Sequence, residues 1–337
     1  MTKRAGILAG GNWIVDKVKL IDAWPQQDAL CRVLESRSAN GGFAYNMLKD
    51  LSRLGAPFPL WAAGLLGTDA DADFVLKDCA ASKIDSSMLL RRDGLRTPST
   101  DVMTEKCTGR RTFFYDGGAT EHFDFNEFDI SRCPAKIVAC GYMGLLRKMD
   151  ACACGASGYA RFFERARALG FETATDFVSV DADLGAIAKS ALPHIDYISM
   201  NEIEASRLMN LENLDSAQKK SAAFLSGVAA ELFAAGLGKF ALIHFKEGAF
   251  GFAKNGEVFR CGALNVPKDS VAGANGCGDA LFAGFLYGVH EGAGYEESLR
   301  LGICAAAACL CDASASGGLL AAKACLKLAR RFGFGAL

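Results

Sequence analysis

Short apolar runs recur along this chain, each bounded by Gly, Asp or Pro, with longer amphipathic segments between them. They lie at residues 7–9, 60–63, 137–140, 173–175, 197–200 and 240–244. Runs this short and this apolar read as strands buried on both faces. Segments 45–54, 159–169, 216–235 and 280–290 carry apolar residues at helical spacing. Strands that alternate with helices build βαβ units, which close into a mostly parallel sheet covered on both sides. Two stretches break the rhythm. Residues 15–37 and 97–122 read as half-exposed antiparallel strands with turns, the second ending in Asp116-Gly117-Gly118. They are expected to form one small β-structure attached to the main domain.

The 337 residues are 51% hydrophobic, enough for a large core, and are read as one domain spanning 1–337. With 37 basic and 38 acidic residues and no long Lys/Arg run, the chain offers no nucleic-acid surface. The thirteen cysteines are odd in number and contain no CxxC pair. Several, such as Cys304, Cys309 and Cys311, sit among alanines as small core residues. Reduced cysteines point to a reducing, cytoplasmic compartment. Residues 1–10 lack the apolar stretch of a signal peptide, and no apolar run approaches the length of a membrane span.

The segment richest in chemistry is Gly273-Ala274-Asn275-Gly276-Cys277-Gly278-Asp279. Apolar residues at 281, 282, 285, 286 and 289 follow at helical spacing, so a glycine-rich turn opens straight into a helix. Unpaired amides and the positive end of the helix dipole then face the turn, an arrangement that accepts anions. A carboxylate at Asp279 would stand beside that anion and could take a proton from an attacking hydroxyl. A plain capped helix is the competing reading. The turn is neither a Walker A loop nor a GxGxxG dinucleotide fingerprint.

The stretch from Gly276 to Phe285 resembles the C-terminal signature of the ribokinase-like (PfkB) carbohydrate kinases, DTxGAGDxFxAGF. Other segments match in the same order. Gly11-Asn12-Trp13-Ile14-Val15-Asp16 resembles the N-terminal strand that ends on a substrate-binding Asp. Gly41-Gly42-Phe43-Ala44-Tyr45-Asn46 followed by Leu51-Ser52-Arg53-Leu54-Gly55 resembles GG…N…LARLG, and Gly64-Leu65-Leu66-Gly67-Thr68-Asp69 resembles GxVGxD. Asn201-Glu202-Ile203-Glu204 is similar to the NxxE motif, and residues 314–319 resemble the closing small-residue loop.

The resemblance implies a three-layer α/β/α sandwich with a central mostly parallel sheet, and a small β-lid supplied by about 15–37 and 97–122. It implies transfer of a phosphoryl group from ATP, with Mg²⁺, to a hydroxyl of a sugar, sugar acid or sugar-like molecule, a primary alcohol being the expected acceptor. In that reading Asp279 is the catalytic base, and the amides of Gly276, Cys277 and Gly278 form the anion hole. Asp16, Gly41, Gly42, Asn46 and Arg111 bind the acceptor. Asn201 and Glu204 organise Mg²⁺, through water, and the phosphates. Gly248 and Asn275 serve the nucleotide. A homodimer through the lid edges is a further implication.

Each site has a plainer competing reading. Asp16 would be a strand-end turn residue, Asn46 a helix-face amide, Asn201 and Glu204 a capping box, and Arg111 a solvated charge. The chain also departs from the pattern. Gly273 stands where the signature begins with Asp, which weakens the expectation of a K⁺ site, and Cys277 replaces Ala. Ile14 stands where ribokinases carry a hydroxyl-binding Asn, which argues against ribose. His244-Phe245-Lys246-Glu247-Gly248 is an atypical TxGxxG segment. Residues 69–73 mimic an EF-hand start, but Phe74 and Ala80 occupy the positions that need Gly and Glu. Two other functions stay open: a nucleoside kinase, with Trp13, Phe43 and Tyr45 as candidates to line a base pocket, or a non-catalytic sugar- or nucleotide-binding sensor.

Overall fold

The computed structural model describes residues 4–180 and 183–337. Fifteen strands are present among them: β1 (Ile7–Gly11), β2 (Ile14–Ile21), β3 (Val33–Gly41), β4 (Leu60–Leu66), β5 (Asp85–Arg91), β6 (Ser99–Glu105), β7 (Arg111–Asp116), β8 (Ile137–Gly141), β9 (Cys152–Ala153), β10 (Ala156–Ser157), β11 (Glu172–Asp176), β12 (Tyr197–Asn201), β13 (Phe240–Phe245), β14 (Gly248–Ala253) and β15 (Val258–Gly262). Nine of them form one sheet in the order β15-β14-β13-β12-β11-β8-β1-β4-β5. From β5 to β13 every neighbouring pair is parallel, and β14 and β15 append an antiparallel edge.

The parity of the strands divides the core in two. Along β1, Ile7 and Ala9 pack on one side while Leu8 packs on the other. In β8, Ile137 and Ala139 part from Val138 and Cys140 in the same way. The first side is covered by helices Phe43–Leu54, Cys277–Glu291 and Tyr295–Cys309, and the second by Gly158–Ala168 and Ala222–Ala234. The result is the three-layer α/β/α arrangement with a central mostly parallel sheet.

Segment 216–235 is two helices rather than one. Asp215 caps Ser216–Lys219, and the Ser221 hydroxyl then accepts from Phe224 N–H to start Ala222–Ala234. A serine cap inside an apolar-periodic stretch restarts the helix without disturbing the periodicity.

A second, four-stranded sheet has the order β3-β2-β6-β7. Its strands come from the two irregular stretches, with β3 running on to Gly41 beside the large sheet. Pairing aligns Ala39, Asp16, Thr100 and Tyr115 across all four strands, so their side chains share one face. Only Asn12 and Trp13 separate β1 of the large sheet from β2 of the small one, and both are fully buried.

Candidate active site

The glycine turn ends at Gly276, whose φ of 73° is the left-handed conformation glycine tolerates best. A Cβ there would also run into Ala315 of the closing loop. The first intrahelical bond runs from Ala280 N–H to Gly276 C=O at 2.8 Å, so the amides of Cys277, Gly278 and Asp279 precede it and stand free of the ladder. Asp279 is 6% exposed. Tyr142 Oη donates to both of its oxygens, at 2.6 Å to Oδ1 and 2.8 Å to Oδ2, and Asn46 Nδ2 donates to Oδ2 at 2.9 Å. Burial pushes its carboxyl up to about 6, against the pull of those two donors.

Behind Asn46 the network continues. Asn40 Nδ2 donates to Asn46 Oδ1 and to Ser316 Oγ, both at 2.8 Å, which orients the Asn46 amide with its nitrogen toward Asp279. One turn further along the same helix sits Asp50, fully buried, with no hydrogen-bond partner on either oxygen. Burial drives its carboxyl well above the usual carboxylate range, and the Ser316 hydroxyl nearby offsets only part of that.

A cavity of about 690 Å³ opens over the turn. It brings together Asp16, Gly42, Asn46, Asn201, Glu204, Asn275, Gly276, Cys277, Gly278 and Asp279. Asp16 approaches from the small sheet and takes a hydrogen bond from Asn275 Nδ2 at 3.3 Å. Burial, aided by the Asp279 charge, pushes it up to about 7, while Asn275 and Arg111 pull the other way. Gly41 is not itself a lining residue, but a Cβ on it would collide with the Asp16 carboxylate. Arg111 also lies outside the lining; its Nη2 reaches Ala313 C=O at 3.4 Å and fills the space a side chain at position 273 would need. That contact accounts physically for the glycine at 273. Phe113 and Tyr115 complete the wall on the side of the small sheet.

At the other end Asn201 caps helix Glu202–Leu208. Its Oδ1 accepts from Ile203 and Glu204 N–H, and Glu204 Oε2 accepts in return from Asn201 N–H at 2.8 Å, which makes a capping box. Glu204 Oε1 accepts from Ser179 Oγ at 2.9 Å. Facing this pair is Asp176, at the carboxyl end of β11, whose Oδ1 accepts from Phe177 N–H at 2.9 Å. Burial raises the carboxyls of both Asp176 and Glu204, with Coulombic repulsion from Glu204 adding to the rise at Asp176. His244 stands against Gly278, and burial pushes its imidazole down to about 4, so it is neutral at pH 7. Gly248 lies outside the cavity, in the β13–β14 hairpin against Cys261 and Gly262.

Tyr142 and Asp176 come to the cavity from strand ends that carry no local motif, so a motif reading passes over them, while His244 opens the atypical TxGxxG segment without being singled out as a site residue. Their one signal is position: ligand sites of open parallel sheets gather at the carboxyl ends of strands. The reverse holds for Trp13, Phe43 and Tyr45. All three are fully buried beside the site rather than in it, with Trp13 Nε1 bonded to Ala63 C=O and Tyr45 Oη to Asp78. They cannot line a base pocket.

The family model described as pfkB family carbohydrate kinase matches residues 12–321. Mouse (Mus musculus) ketohexokinase is 30% identical over 129 residues, which is 37% of this chain and 43% of that enzyme's length. Among solved structures, Arabidopsis thaliana ribokinase complexed with ribose and ATP superposes with a TM-score of 0.78 at 21% identity, covering 96% of this chain and 98% of that one. Burkholderia thailandensis nucleoside kinase in complex with inosine gives 0.72 at 18% identity, covering 97% of each chain.

Proposed function

From the premise that this chain belongs to the pfkB family of carbohydrate kinases, we propose that it transfers the γ-phosphate of ATP to a hydroxyl of a neutral, sugar-like molecule. The observation that carries the reading is Asp279: a buried carboxylate at the first turn of a helix whose free amides face the same cavity. In the proposed reaction the acceptor hydroxyl gives its proton to Asp279 as its oxygen bonds to the γ-phosphorus and the bond to the leaving ADP oxygen breaks. The amides at the turn hold the charge that gathers on the transferring group. Asp16, on the far wall, would grip the acceptor's other hydroxyls, and Gly41 leaves it room to do so.

The donor set at the nucleotide end fits a hydrated Mg²⁺. Asp176 and Glu204 are buried carboxylates with no lysine or arginine beside them among the described lining residues, and Asp176 Oδ1 accepts from Phe177 N–H. Both oxygens of Glu204 are engaged by Asn201 and Ser179, so Asn201 and Glu204 would hold the ion through its water shell. When bound, the ion would neutralise charge on the phosphates. At the turn, the Arg111 guanidinium already supplies positive charge beside Gly273, and K⁺ is assigned no part. A homodimer would pair along the outer edge of β3, where Val33 and Leu34 are exposed.

A nucleoside acceptor is the second reading, favoured by Phe113 and Tyr115, whose rings line the cavity and offer stacking faces. One assay tests both: ATP turnover with Mg²⁺ on a panel of neutral sugars, polyols, sugar acids and nucleosides, alongside Asp279→Asn. Turnover on sugars that the substitution abolishes supports the first reading. Turnover confined to nucleosides selects the second, and full activity in Asp279→Asn removes the base from either.

A further inference from the structure

We propose that Tyr142 is a positioning residue for phosphoryl transfer, its phenol holding the Asp279 carboxylate in one orientation and in the ionised state that can take the acceptor's proton. The inference rests on the reading of Asp279 as the base. Its ground is a chain of contacts ending on that carboxylate. Tyr142 Oη reaches both oxygens, at 2.6 and 2.8 Å, and so fixes the plane of the carboxyl group. Tyr142 is itself tied down along its length. Its N–H donates to Asn12 Oδ1 at 2.6 Å, its C=O accepts from Tyr159 Oη at 2.9 Å, and its ring stands edge-on to Phe43 at 5.5 Å. Asn12, Tyr159 and Phe43 are fully buried. A phenol held at its backbone and ring has little freedom left to lose when it donates, which is what preorganisation requires.

The surroundings make this donor matter. Asp16 from β2, Asp50 from helix Phe43–Leu54, Asp176 from β11 and Glu204 from helix Glu202–Leu208 are the carboxyl groups around Asp279. Each disfavours a further negative charge. His244 from β13 is neutral, Cys277 shares the helix of Asp279, Cys309 ends the helix that packs beside it, and Arg111 reaches the turn from β7. Against burial and this repulsion, the three hydrogen bonds to Asp279 come from two side chains, Tyr142 and Asn46. Without the phenol, Asn46 alone would hold the charged form.

The test is kcat/KM against pH, from 5 to 9, for wild type and Tyr142→Phe on an acceptor found by the panel. Losing a donor to a charged group favours the protonated base, so the acid limb should move up by about one pH unit. At pH 5 the variant should be slower by about tenfold and at pH 7 by about twofold, and the gap should close as pH rises further, a pattern that simple loss of packing does not produce. Asp16 titrates in the same range but is common to both proteins, so the difference between profiles is the readout. A loss uniform across pH, with the limb unmoved, overturns the proposal. Should Tyr142→Phe not fold, Tyr159→Phe loosens the same tyrosine without touching Asp279. A smaller shift in the same direction supports the proposal, and an unmoved limb overturns it. Asp279→Asn separates the two readings: if it stays active, the base assignment fails. If it is inactive while Tyr142→Phe leaves the limb in place, only the role of Tyr142 fails.

Discussion

Asp279 and Asp50 sit on neighbouring helices and are both buried, yet only Asp279 has donors. Removing the charge at Asp279 should lower kcat by about 10²–10⁴-fold, the usual worth of a positioned base, with ATP binding retained in a titration of Asp279→Asn. Activity in the wild type should rise with pH through about 6, where Asp279 ionises. Asp50 carries the opposite expectation. Its folded-state pKa lies above the unfolded value, so its contribution to stability is most favourable below about pH 4 and is lost as pH climbs toward the folded value. At pH 7 the group is a buried orphan, and Asp50→Ala should stabilise the protein by about 1–2 kcal/mol, less so at pH 4. Thermal melts at both pH values check the size and the sign. Asp279 could be found in the sequence because its glycines are contiguous with it. Tyr142 could not, since its contact with Asp279 spans 137 positions and depends on the chain path after β8.

At the scale of elements, short apolar runs mark each parallel strand of the large sheet from β1 to β13 except β5 (Asp85–Arg91), where Met88-Leu89-Leu90 follows three polar residues and only Leu89 is buried. The split at Ser221 is not legible in hydropathy, because a cap is a hydrogen bond and hydropathy does not register hydrogen bonds. The capping box of Asn201 and Glu204 shows that a motif can hold a helix start and border the cavity at once. The turn at Gly276 has the least tolerance. Gly276→Ala would need a left-handed alanine and would press on Ala315, at a cost of about 1–3 kcal/mol. The amides should then lose their common aim. The expected result is a folded protein, by circular dichroism, that has lost more than tenfold in kcat/KM.

For the molecule as a whole, the three layers could be read in advance because a parallel sheet must be covered on both faces. The charge of the cavity could not, because its carboxylates arrive from β2, β11, and helices Glu202–Leu208 and Cys277–Glu291. Asp16, Asp176, Glu204 and Asp279 line it, with no lysine or arginine among the described lining residues. An acidic acceptor would meet repulsion there. Neutral sugars should therefore outperform the corresponding sugar acids by about tenfold or more in kcat/KM, and the margin should shrink in high salt.

The two-residue passage between the sheets has a bearing on how nucleotide is spent in the absence of an acceptor. Asn12 seats the tyrosine that holds Asp279, and Trp13 is anchored to Ala63. A tilt of the small sheet would be felt at this pair, as at Gly42, the single residue between β3 and helix Phe43–Leu54. An enzyme waiting with its small sheet raised would hold its base less firmly than one closed on an acceptor. Water entering the open site would then be a poor nucleophile, and futile hydrolysis would be restrained by the same junction that steadies productive turnover.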